Sequence, residues 1–338
     1  MSQDKQVALV VGGSRGIGRQ IAVDLAKNGF AVVVAAKSVS DASTVDPFPP
    51  DPNSQQSTIS TVEREIREAG GDATAVPVDT RDPESVQRMV ARTVELYGHL
   101  DVVIYNSGAI WWSSVEGTPM KRFQLMQRVN PEGLYATVQA ALPVFAQNKW
   151  KGRIIVVSPP IYSRFIRGKT AYAMGKIAMS VLTKGLAMDF EREERNQMAI
   201  TSIWPATAIE SAATKDPSYV RDLRKPVSES VSRTCSKRKS SELQQTIFSD
   251  AILAMLRAPA TIVNGCLELD EDFLRKTGVT DFARYSVVEG FQPRRIMPAQ
   301  FPDLTVAEQN DEGRRMDSTG HAAYHGKSLL DVFTLRRW

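Results

Sequence analysis

A chain of 338 residues with 42% hydrophobic and 24% charged side chains has ordinary globular composition, and it is long enough for one large α/β domain or two small ones. Its formal charge is +4, but residues 221–239 hold Arg221, Arg224, Lys225, Arg233, Lys237, Arg238 and Lys239 against only Asp222 and Glu229, so that segment is +5 and the remainder −1, which excludes a general cationic surface for nucleic acid. With no apolar run near the roughly 18 residues of a membrane span, no leader before the first strand, and only Cys235 and Cys266 as thiols, the reading is a soluble, intracellular, reduced protein, with the cytosol as its default compartment.

Short β-branched runs alternate with longer helix-period stretches, the pattern of βαβ units. The predicted strands are 7–11, 31–35, 73–78, 102–105, 154–157, 199–203 and 262–269. The predicted helices are 16–27, 58–68, 83–97, a long one over 121–147 that Pro131 kinks or divides, 171–191 and 242–256. Together they predict one doubly wound α/β domain over residues 1–289, with a seven-stranded parallel sheet and helices on both faces. Residues 38–57, rich in Pro, Ser and Asp, read as a surface insertion, and 206–241 as a cover over the substrate cleft. Residues 290–338 lack sustained periodicity and read as a C-terminal extension.

The first strand runs through Gly12-Gly13-Ser14-Arg15-Gly16-Ile17-Gly18 directly into a helix. Glycines there let the backbone turn tightly and approach a pyrophosphate, which then faces the helix N-terminus. At the end of the second strand stands Lys37 with Arg15 nearby, where an NAD site would place a carboxylate; cations suit a 2′-phosphate and favour NADPH/NADP+. A simply solvated lysine is the plainer account of Lys37.

Tyr172 and Lys176 are four positions apart, so phenol and ammonium share one helix face. The cation is expected to stabilise phenolate and lower the tyrosine pKa toward working pH, making Tyr172 the acid/base and Lys176 its electrostatic partner. A Tyr-x3-Lys pair alone is common; its place downstream of the glycine loop gives it weight.

In order and spacing these motifs resemble the short-chain dehydrogenase/reductase family, a Rossmann-fold family of oxidoreductases. The fingerprint normally has Thr before the first Gly, where Val11 stands here. The resemblance implies that Asp79 contacts the adenine, that Asn106 and Gly108 brace the sheet beside the cofactor, and that Pro205 and Thr207 cover the nicotinamide. Tyr105 departs from the pattern, standing where the family usually has the first Asn of that element. Asn130 matches an Asn that holds a water on a proton relay to the lysine, although a helix-breaking Asn-Pro pair would look the same. The family's substrate-binding Ser falls on Pro159, so either Ser158 serves, or Ser163 substitutes, or the hydroxyl is absent; Ser158 is favoured. A branch of the family that otherwise carries a sterol-carrier module, not seen here, is resembled over residues 5–290 in Ala35-Ala36-Lys37, Ser158-Pro159-Pro160, Trp204–Ile209 and Gly265–Asp272.

The implied activity is reduction of a bulky hydrophobic ketone by NADPH, or its reversal, by a homo-oligomer. Trp111, Trp112, Tyr162 and Phe165 are candidate pocket walls, although the tryptophans would equally suit core or subunit contacts. Dehydration or rearrangement in the same pocket, and a silent NADP(H)-binding sensor, are the competing readings. His321 and His325 lack a third ligand and read as solvated, so no metal is expected.

Overall fold

In the computed structural model the described residues are 5–161, 166–211, 243–289 and 293–301. Ser163, Tyr162, Phe165, the run 221–239, most of the expected cover, His321 and His325 lie outside them.

The strands are β1 (Val7–Val11), β2 (Ala31–Ala36), β3 (Asp72–Pro77), β4 (Val102–Tyr105), β5 (Gly152–Val157), β6 (Met198–Trp204) and β7 (Leu267–Leu269). All pair in parallel in the order β3-β2-β1-β4-β5-β6-β7. The helices are α1 (Gly16–Lys27), α2 (Ile59–Glu68), α3 (Pro83–Tyr97), α4 (Met120–Gln127), α5 (Gly133–Gln147), α6 (Thr170–Arg192), α7 (Thr246–Arg257), α8 (Ala260–Val263) and α9 (Asp270–Lys276).

Strand alternation builds two cores. Ala8, Val10, Val32, Val34 and Ile104 pack with Ile21, Leu25, Val62, Phe248 and Ile252, placing α1, α2 and α7 on one face. Leu9, Val11, Val33, Val103 and Ile154 pack with Met89, Leu134, Phe145, Met179 and Phe190, placing α3, α5 and α6 on the other. Each buried Val or Ile contributes about 1.5–3 kcal/mol, more than strand propensities differ, so both faces must be covered. The strand order reverses between β1 and β4, and a crevice opens there beyond the carboxyl ends of the strands.

Two readings change. The expected strand 262–269 is only Leu267–Leu269, because Pro259 starts α8 and Gly265, at φ +71, turns the chain before β7. The last long helix begins at Thr246 rather than 242, since Leu243 bridges Ile209 and Ser286. The long helix is divided at Pro131 as expected: a π turn, Arg128–Glu132, separates α4 from α5 and accommodates the proline's missing N–H.

Residues 38–57 fold against the start of α1, with Pro50 and Ser57 buried. The compact unit holding the sheet continues to Phe301. Thr207 and Arg295 form an antiparallel bridge, the N–H groups of Ile296 and Met297 donate to the Ala206 carbonyl, and Asp272 grips Arg295 through both oxygens at 2.5 and 2.7 Å. No described helix is long and apolar enough to cross a membrane.

Candidate active site

A cleft of about 660 Å³ lies over the β1/β4 crevice. At one end is the glycine loop, contributing Gly12, Ser14, Arg15, Gly16 and Ile17. Gly12 has φ +88, and a Cβ there would stand 2.5 Å from the Ser107 nitrogen, so only glycine lets the two loops meet. Gly18 does not line the cleft; it packs beneath Gly12 and the Asn106 amide, where a Cβ has no room. Asn106 donates its amide N–H to the Gly12 carbonyl at 3.0 Å, and the Gly12 and Gly13 N–H groups donate to the Ala35 carbonyl at 2.7 and 3.2 Å. Arg15, at the N-cap of α1, makes no side-chain cap, and the first turn holds no acidic residue, leaving that helix end suited to an anion.

Arg15 donates to Ser38 Oγ at 3.0 Å, and Lys37, 70% exposed, pairs with Asp79 at 3.2 Å. Asp79 lies beside the lining residue Lys37 without itself lining the cleft: Arg81 clamps its carboxylate and Lys37 flanks it, and those bonds hold the carboxyl far below the usual range.

At the other end α6 brings Tyr172 and Lys176 into the lining, both almost fully buried. Gly108 lies against Lys176, and Lys176 Nζ donates to the Val157 carbonyl at 2.8 Å. Burial pushes the ammonium down to about 7 and pushes the Tyr172 phenol up, above its ordinary value. The direction for Tyr172 is opposite to the expected lowering, and its cause is desolvation of the phenolate by burial. Asn130 sits in the π turn and its amide holds both backbone polar groups of Ala109: Oδ1 accepts from Ala109 N–H at 2.9 Å and Nδ2 donates to Ala109 O at 3.1 Å. Tyr105, in place of the usual Asn, donates its hydroxyl to the Val129 carbonyl at 2.6 Å and ties β4 to the same turn.

Ser158 is not in the cleft. It is wholly buried; its hydroxyl accepts from Ser180 Oγ at 2.9 Å and its carbonyl from Ser202 Oγ at 3.2 Å, behind the strand end. Pro205 and Thr207 do line the cleft, although Thr207 gives its hydroxyl to Glu271 at 2.5 Å. Their loop is anchored by Asp270, which accepts the Ala206 N–H at 2.8 Å and whose carboxyl burial pushes up to about 7.

Trp112 reaches the cleft and meets Tyr172 edge-on at 6.1 Å, whereas Trp111 lies outside it beneath Arg122. Sequence reasoning missed Ser38, Lys169, Ile296 and Met297, all in the lining. Nothing periodic marks the last two; they arrive by a bridge to Thr207 from 88 residues along the chain.

Residues 11–232 match the family described as enoyl-(acyl carrier protein) reductase. The chain is 33% identical over 319 residues to hydroxysteroid dehydrogenase-like protein 2 of Danio rerio, covering 94% of this chain and 66% of that protein. A short chain dehydrogenase structure from Mycobacterium thermoresistibile is similar with a TM-score of 0.69 and 31% identity, covering 92% of this chain and 99% of that one. An actinorhodin polyketide ketoreductase solved with NADPH, 21% identical, shares the fold with a TM-score of 0.65 over 79% of this chain and 96% of its own. This chain belongs to the short-chain dehydrogenase/reductase family, a family of oxidoreductases. It spans between about half and two thirds of the length of the hydroxysteroid dehydrogenase-like relatives it matches, 52% to 66%.

Proposed function

We propose that the chain is an NADP(H)-dependent ketoreductase or alcohol dehydrogenase for a bulky hydrophobic carbonyl compound, with Tyr172 as proton donor. The observation that carries this reading is the placement of buried Tyr172 and Lys176, one turn apart, in the same cleft as the glycine loop. The residues fit a dinucleotide: a glycine cradle no side chain could replace, an uncapped helix N-terminus, and a lining that contains Arg15, Lys37, Lys169 and Lys176 but, among the described residues, no carboxylate. When bound, the cofactor supplies the hydride for the carbonyl carbon. Tyr172, kept protonated by burial, gives its proton to the carbonyl oxygen, and Lys176 stabilises the phenolate left behind. Asn130 braces the Gly108–Ala109 peptide beside Lys176, and Ile110, Trp112, Trp204 and Ile296 exclude water around the reacting carbon. The balance is ketone plus NADPH plus a proton to secondary alcohol plus NADP+.

The test is NADPH consumption with a panel of aromatic ketones, run against NADH. Replacing Arg15 and Lys37 together by Ala is expected to raise the NADPH KM about 30-fold while leaving the NADH KM within about threefold, since each solvent-exposed charge contact to a 2′-phosphate is worth up to about 1 kcal/mol. Equal losses for both cofactors would remove the basis for NADP(H). One observation favours a second reading, a non-redox use of the pocket: the family's serine position is Pro159, and the Ser158 hydroxyl is engaged elsewhere. Substrate conversion without change in NADPH absorbance is its signature.

A second copy of this chain is the proposed partner. Met174, Val181 and Met188 recur every seven residues on α6 and are 54%, 57% and 63% exposed, with Tyr135 on α5 at 59%. Such an apolar stripe is costly to leave in water, and α5 and α6 are a pairing surface in this family. A Val181→Glu/Met188→Glu double variant is expected to sediment as a monomer where the parent sediments as an oligomer; an unchanged sedimentation coefficient would exclude this face.

A further inference from the structure

The insertion after β2 holds the phosphate loop at two points. Ser57, fully buried, donates its hydroxyl to the Ser14 carbonyl at 2.7 Å, and the Gly16 N–H donates to the Pro52 carbonyl at 2.8 Å. The front of the loop is fixed from the opposite side by Ala35 and Asn106, so these two bonds fix its back, Ser14 to Gly16. That is the stretch leading into the first turn of α1, where an anion would sit. Val11, a residue without a hydroxyl, stands where the fingerprint has Thr, so the insertion contributes hydrogen bonds to a loop that lacks that one.

The insertion is itself tied down. Thr58 and Thr61 form a capping box at the start of α2, and the Arg64 guanidinium lies 3.8 Å over the Phe48 ring while donating to the Ala42 carbonyl at 2.8 Å. Gln245, at the start of α7, donates to Asn53 Oδ1 at 3.2 Å and to the Glu210 carbonyl at 2.6 Å, joining the insertion to the segment that follows β6.

We infer that residues 50–57 are a positioning element of the cofactor site, with Ser57 as the positioning side chain and Asn53 as its anchor. The segment holds Ser14–Gly16 in the conformation that meets the diphosphate. This rests on the dinucleotide reading above. A merely structural segment would affect folding or every kinetic constant alike, whereas a positioning role loads the effect on cofactor affinity.

The experiment is an NADPH fluorescence titration with steady-state kinetics on the full chain and its Ser57→Ala, Ser57→Thr and Asn53→Ala variants, each melted in parallel. Ser57→Ala is expected to raise the NADPH Kd and KM about tenfold with kcat at saturating cofactor unchanged, and Ser57→Thr, which keeps the donor, to recover most of the loss. Asn53→Ala, which leaves both loop bonds in place, is expected to raise Kd about threefold. A folded Ser57→Ala protein with the parent's Kd, or one that loses kcat with KM unchanged, overturns the inference. Should Ser57→Ala fail to fold, the Asn53→Ala Kd decides: a rise supports the inference and a parental value overturns it. A parent chain that binds neither NADPH nor NADH overturns the dinucleotide reading itself, an outcome distinct from parental binding that Ser57 does not influence.

Discussion

Tyr172→Phe is expected to lower kcat for ketone reduction by about a thousandfold while leaving the NADPH Kd unchanged. The substitution removes one oxygen from a side chain that is 3% exposed and packs edge-on against Trp112, so the apolar contacts survive while the transferable proton is lost. Burial holds the phenol protonated well past neutral pH, which suits proton donation and disfavours the phenolate that alcohol oxidation needs. Oxidation of the alcohol should accordingly gain rate as pH rises, and reduction should be the favoured direction at neutrality. Stopped-flow measurement of hydride transfer in both directions checks this. A Tyr172→Phe protein with more than a tenth of the parental single-turnover rate would remove the residue from the chemistry.

The second large effect concerns Lys176. Its ammonium is pushed down to about 7, so kcat/KM for reduction is expected to fall about tenfold per pH unit above that value as the cation beside the phenol is lost. In Lys176→Ala the break near neutrality should disappear and the rate at pH 6 should drop about a hundredfold. Stability should respond with its own sign. Between about 7 and the ordinary lysine value of 10.5, the unfolded chain binds a proton that the folded chain does not, so this group makes stability rise with pH across that window. Lys176→Met should flatten that part of the melting-temperature profile. A parental kcat/KM that stays level between pH 6 and 9 would contradict the placement of a titrating lysine at the reacting centre.

Much of the scaffold was legible before any coordinates. Six of the strands and the long helices follow from side-chain period alone, because a strand covered on both faces must be apolar throughout and a helix covered on one must repeat near 3.6. The exception at 262–269 shows the limit of that reasoning. Thr261-Ile262-Val263 has the composition of a strand, yet Pro259 starts a helix there and Gly265 ends it, so local turn chemistry prevails over β-branching. The glycine loop and the Tyr172–Lys176 pair were equally legible, since each is a local requirement: a backbone with no room for Cβ, and two groups one helical turn apart.

What remained hidden depends on contacts between distant residues. The sequence by itself determined the fold class, the order of strands and helices, the phosphate loop, and the presence of a phenol and an ammonium on one face of α6. Only the tertiary structure decided that Ser158 is buried against Ser180 instead of facing the cleft, that Asp79 is held by Arg81, that Ile296 and Met297 complete the wall, and that the insertion grips the phosphate loop. It also decided the direction of the Tyr172 shift, from burial. The division has a physical cause. Backbone periodicity, glycine sterics and helical spacing act over a few residues and are written locally, whereas desolvation and hydrogen-bond partners depend on which remote segments fold together.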